Sequence, residues 1–78
     1  MKIIWDEPKR QANIATHGLD LADAELFEWE GAIVIPGHRS ASGQARFRAI
    51  GWLRNELVAV VFSQLGTEAV SVISLGRE

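Results

Sequence analysis

The 78-residue sequence contains no cysteine, only two prolines and only two histidines. Without cysteine, disulfides and thiolate metal sites are excluded. The two histidines have no acidic partner at ligand spacing, so neither a zinc site nor any other cofactor is expected. No apolar run approaches the roughly 20 residues needed to span a bilayer. No signal peptide precedes the first strand, so a cytoplasmic protein with no membrane partner is expected. A nucleotide-binding loop and a Ser or Cys nucleophile constellation are also lacking, which sets aside a small metabolic enzyme. The length fits one domain, residues 1–78. A domain this small buries only roughly 60% of the surface its unfolded chain exposes, so its stability should be marginal without help.

Net charge is only −2, and the sum alone argues against a nucleic-acid binder. Its distribution reads differently. Between Asp20 and Glu30 lie five acidic residues and no basic one, whereas between Arg39 and Arg54 lie four arginines and no acidic one. Such segregation is what a functional basic patch would produce, and in a short chain it also arises by chance.

The opening stretch Ile3-Ile4-Trp5-Asp6 runs from a short strand into a helix. Asp6 has the short oxygen-bearing side chain of an N-cap. Pro8 falls in the first turn, where a missing N–H costs little, and Gly18 suits the left-handed C-terminal position. Helical spacing puts Arg10, Asn13 and His17 on one flank and a weak apolar stripe of Pro8, Ala12 and Ala15 on another. Asp20 and Asp23 are spaced like a capping box, and Ala22, Leu26 and Trp29 recur at i, i+4 and i+7. Residues 21–28 therefore read as a second amphipathic helix, with Leu26, Phe27 and Trp29 packing in the core.

After Gly31 the period changes to that of strands. Ala32–Ile35, residues 45–53, Leu57–Phe62 and Ala69–Leu75 are four of them, with a polar loop from Gly37 to Gly43 and turns at Asn55-Glu56 and Leu65-Gly66-Thr67. Connections this short make successive strands antiparallel neighbours. The expected fold is α+β: two N-terminal helices packed on one face of an antiparallel sheet, with the first strand joining it. Leu57–Phe62 is apolar at both parities and wants cover on both faces. A partner chain, such as a second copy in a homodimer, is the simplest supplier, and curling of the sheet could do part of it. In the preceding strand Phe47, Ala49, Gly51 and Leu53 make the core face. Arg46, Arg48, Ile50, Trp52 and Arg54 share the other. Arginines beside an aromatic ring suit phosphate holding and base stacking; the alternative is a strand kept soluble by charge.

These elements and their local motifs resemble the BrnT family of toxins from bacterial type II toxin–antitoxin modules, with a RelE-like ribonuclease fold. The matching pieces are Trp5-Asp6-x-x-Lys9, Asn13 followed by His17-Gly18, Gly43-x-x-Arg46-Phe47, Gly51, the strand through Val61-Phe62, and Val72-Ile73-Ser74. The sequence departs from the family pattern at Thr16, where lysine is usual, and at Gln44, where glutamate is. Gly76 stands where an arginine is expected, with Arg77 one place late. Members usually continue into a C-terminal helical tail, and no contact from such a tail is expected after Glu78.

The resemblance implies cleavage of RNA, whose own 2′-hydroxyl is the nucleophile. Arginines would stabilise the charge on the phosphorane-like transition state, and a histidine would move a proton. It assigns Arg46, Arg48 and His17 to catalysis. His38, Arg39, Trp52 and Arg54 fall to substrate binding, and Asn13, Asp6 and Gly18 to structure. The implied partners are RNA and a cognate antitoxin, with operator DNA reached only through the antitoxin. The alternative is a non-catalytic antitoxin-binding module acting as a transcriptional co-repressor.

Overall fold

The computed structural model describes residues 1–37, 39 and 43–78. Strand β1 (Lys2–Trp5) leads into helix α1 (Glu7–His17), then two short 3₁₀ segments, Leu21–Leu26 and Trp29–Gly31. Four strands follow: β2 (Ile33–Pro36), β3 (Phe47–Leu53), β4 (Glu56–Leu65) and β5 (Ala69–Arg77). With β1 they form one five-stranded sheet in the order β1-β5-β4-β3-β2.

Helix α1 begins and ends where its capping residues dictate. The Asp6 carboxylate accepts from the Lys9 N–H at 3.3 Å, and Gly18 ends the helix at φ 70° while its N–H donates to the Ile14 carbonyl. The expected apolar stripe does not face the core. Pro8, Ala12 and Ala15 are exposed, and Asn13 is the helix's one buried residue.

The expected pair of helices on an antiparallel sheet is not what forms. The second helix is a 3₁₀ segment, and the residues it buries are Leu21 and Ala24, followed by Phe27 beyond its end. These recur every three residues, the period at which 3₁₀ side chains eclipse; the i, i+4, i+7 stripe was the wrong register, and Leu26 is exposed. The sheet is mixed, because β1 pairs with β5 in parallel, Ile3 opposite Val70 and Trp5 opposite Val72. Nearly the whole chain lies between these two strands, so no short turn constrains their direction. The remaining pairings are antiparallel.

The 3₁₀ segments cover the inner face of the sheet. Leu21, Ala24 and Phe27 pack there against Ile3, Ala49, Leu53, Val58, Val60, Phe62, Val70, Val72 and Leu75. Trp29 meets Phe27 and Phe62 edge-on, with ring centroids at 4.9 and 5.2 Å, and its indole N–H donates to the Ala24 carbonyl. Gly51 is glycine for want of room: a Cβ there would stand 3.0 Å from Phe27 Cζ and 3.2 Å from the Ala32 methyl. In β4, Val58, Ala59, Val60 and Phe62 are buried within this one chain. Exposed apolar side chains remain at Leu57, the first residue of that run, at Trp52 opposite it, and along β2, where Ile33, Val34 and Ile35 are all exposed.

Candidate functional site

The face of the sheet turned away from the 3₁₀ segments carries the candidate residues. Register decides which they are. Arg48 is opposite Val61, Ile50 opposite Ala59, and Trp52 opposite Leu57; on β5, Ser74 meets Val61 and Gly76 meets Ala59. Alternation of side chains puts all of these on the outer face. A β-bulge between Val61 and Phe62 admits one extra residue, Ile73, into β5.

Arg48 does not stand free. Its guanidinium meets the Glu78 carboxylate at 2.5 Å, and since β4 lies between β3 and β5 the pair reaches across that strand. Arg46 precedes β3 and is half-buried; its carbonyl accepts from the Gly37 N–H at 2.7 Å. Trp52 is exposed on the same face.

His17 reaches this face from α1. A Cβ at Gly76 would lie 3.4 Å from His17 Nδ1, so the imidazole rests where β5 has no side chain. With Lys9, Ala12, Asn13 and Thr16 it lines a shallow groove of about 230 Å³ against Ile73 and Ser74. The end of α1 therefore lies on the side opposite the 3₁₀ segments, a further departure from two helices on one face.

Other arginines are held elsewhere. Arg54 sits in the β3–β4 turn, where Arg54 and Asn55 both have positive φ, 47° and 69°, the geometry of a two-residue hairpin. The turn takes Arg54 out of the row, and its guanidinium meets Asp23 at 3.2 Å. Arg77 donates to Glu56 at 2.6 Å and to the His17 carbonyl at 2.9 Å. Arg10 forks onto both oxygens of Asp20, at 2.8 and 2.9 Å, and also meets Glu7. Those bonds hold the Asp20 carboxyl below its usual range, first through Arg10 and then through the Ala22 N–H.

Arg39 is exposed and donates to the Gly43 carbonyl at 2.8 Å. His38 lies outside the described residues. Sequence reasoning missed two things, Glu78 as the partner of Arg48 and Ser63 as a buried polar residue of β4. Nothing in a linear reading pairs residues 48 and 78. Ser63, in contrast, directly follows the apolar run Leu57–Phe62 in the same strand. Among the described residues, no group of acidic, His or Cys side chains could hold a metal ion. No helix among them is long and apolar enough to cross a membrane.

Residues 5–78 match the model of a family described as ribonuclease toxin, BrnT, of type II toxin–antitoxin systems. Among solved structures, the chain is similar to the Brucella abortus ribonuclease toxin BrnT, at 48% identity and a TM-score of 0.81. That match covers 100% of this chain and 96% of the Brucella one. Comparison with curated proteins gives no match.

Proposed function

The chain belongs to the BrnT family of ribonuclease toxins of type II toxin–antitoxin systems, and from that premise we propose that the outer face of its sheet binds and cleaves RNA. It is a toxin–antitoxin ribonuclease with a cognate antitoxin as partner, and nothing favours the non-catalytic co-repressor reading. The observation that carries the site is the sharing of one face. Arg48 on β3, Arg46 just before it and His17 over Gly76 belong to that face.

The chemistry needs few groups. The RNA 2′-oxygen attacks the adjacent phosphorus while the bond to the 5′-oxygen breaks, leaving a cyclic phosphate. Arg46 and Arg48 meet the phosphate oxygens with charged, forked donors as negative charge builds on them. His17 moves a proton to or from the reacting oxygens. Trp52 offers a ring face to a base, and Arg39, with His38, touches the backbone. Arg54, turned towards Asp23, stands at the margin. Asn13, Asp6 and Gly18 hold the scaffold. The chain acts as one domain in the cytoplasm, reaches operator DNA only through its antitoxin, and self-associates through the exposed strand β2.

Cleavage of a labelled RNA by wild type, Arg46→Ala, Arg48→Ala and the double variant tests the site. Each single change should cost on the order of a hundredfold in rate with an unchanged circular dichroism spectrum. Full activity in the folded double variant would refute the assignment. His17→Ala should cost as much only if the imidazole moves the proton.

A further inference from the structure

Among the described residues, two buried hydrogen-bonding atoms on the outer face have no partner, Arg46 Nε and Ser63 Oγ. They belong together. Phe47 is opposite Phe62, the last pair of the β3–β4 ladder, and the same register continued by one step brings Arg46, just before β3, alongside Ser63. Ser63 is in turn opposite Ser71 of β5. Being next to the inward-facing Phe47 and Phe62, both side chains belong to the outer face. The result is a polar row across the sheet, Arg46, Ser63, Ser71, beside the apolar and small residues Val61 and Ala59.

Ser63 is 1% exposed. A buried hydroxyl or guanidinium N–H left unpaired is costly, and native proteins rarely keep one without a use. Arginine Nε can only donate, and serine has a hydroxyl that rotates to suit. The two atoms do not satisfy each other. What both can share is an acceptor between them, and the guanidinium charge selects an anionic one.

We propose that Arg46 Nε and Ser63 Oγ seat one phosphate group, with Ser71 at its rim. In RNA this is a backbone phosphate, an assignment that rests on the outer face being the RNA-binding surface. Ser63 thereby becomes a substrate-binding residue.

The test uses the full chain and two probes: inorganic phosphate, compared with chloride at equal ionic strength, and a uniformly 2′-O-methylated RNA oligonucleotide that cannot be cleaved. Phosphate should raise the melting temperature of wild type saturably. Ser63→Ala should be at least as stable as wild type without phosphate, since it removes an unpaired buried hydroxyl. It should bind both phosphate and the methylated RNA about tenfold or more weakly, the loss expected for a hydrogen bond to a charged group. Ser63→Cys, nearly isosteric with a weak donor, should fall between and serves if the alanine variant misfolds. A wild type whose melting is indifferent to phosphate, or a Ser63→Ala variant with an undiminished response, would overturn the seat. Weakened phosphate binding with unchanged RNA binding would overturn its assignment to the RNA backbone. The phosphate arm involves no cleavage, so its outcome is separate from that of the catalytic assignment.

Discussion

The side chain of Asn13 pairs with the main chain of Leu75 as a strand would. Its Nδ2 donates to the Leu75 carbonyl at 2.9 Å and its Oδ1 accepts from the Leu75 N–H at 3.0 Å. Nδ2 also donates to the Leu19 carbonyl at 2.7 Å. Strand β1 covers β5 only as far as Val72, and beyond that point α1 takes its place. One amide there closes an edge whose backbone groups would otherwise be left unpaired.

Asn13→Ala should therefore lower stability by about 2–3 kcal/mol, because buried backbone groups at Leu75 lose their partner. Urea unfolding measures this. Asn13→Gln should not restore the loss, since the extra methylene misplaces the amide. A cost near that of a surface substitution would mean that water replaces the amide freely.

Glu78→Gln should strengthen RNA binding. The Glu78 carboxylate now holds the Arg48 guanidinium that a phosphate would claim, and the pair is solvent-exposed. Exposed ion pairs contribute up to about 1 kcal/mol, so the gain should reach at most about fivefold. It should shrink as salt is raised. Fluorescence anisotropy with labelled 2′-O-methyl RNA reads both, and weaker binding by the variant would exclude this competition.

Acid should loosen the link between α1 and the first 3₁₀ segment. The folded-state pKa of Asp20 is depressed by Arg10 and by the Ala22 N–H, and that of Glu7 by Gln11 and then Arg10. A depressed carboxylate contributes stability above its unfolded pKa, near 4, and loses it as pH falls through the lower folded value. Melting temperature should thus fall on acidification below about pH 4–5, and Asp20→Asn should flatten that part of the curve. An unchanged acid limb in the variant would remove Asp20 as its cause.

Gly51→Ala should destabilise by about 1–3 kcal/mol, the usual cost of overpacking. The new methyl would press on Phe27 and Ala32, neither of which can swing into solvent. Thermal unfolding checks it, and Gly51→Ala combined with Phe27→Leu should recover part of the loss.

Much of the candidate site's placement could be read along the chain because the relevant rules are local. Asp6 and Gly18 bound α1 through hydrogen bonds within a few residues, and strand alternation put Arg48 and Trp52 on the face opposite Ala49 and Leu53. The run from Trp5 to Gly18, with Arg46-Phe47, was enough to indicate the family. Local rules failed where distant contacts outweighed propensity. The apolar stripe of α1 was too weak to bury, so the helix is anchored by Asn13 on Leu75, a partner 62 positions away. The second helix tightened to 3₁₀ because the core accepts Leu21, Ala24 and Phe27 at a spacing of three. Parallel pairing of β1 with β5, the bulge at Ile73 and the Glu78 carboxylate on Arg48 depend on strand register. Caps, strand alternation and family were legible from neighbouring residues. Which polar groups meet was not, because register and packing join residues that no local period relates.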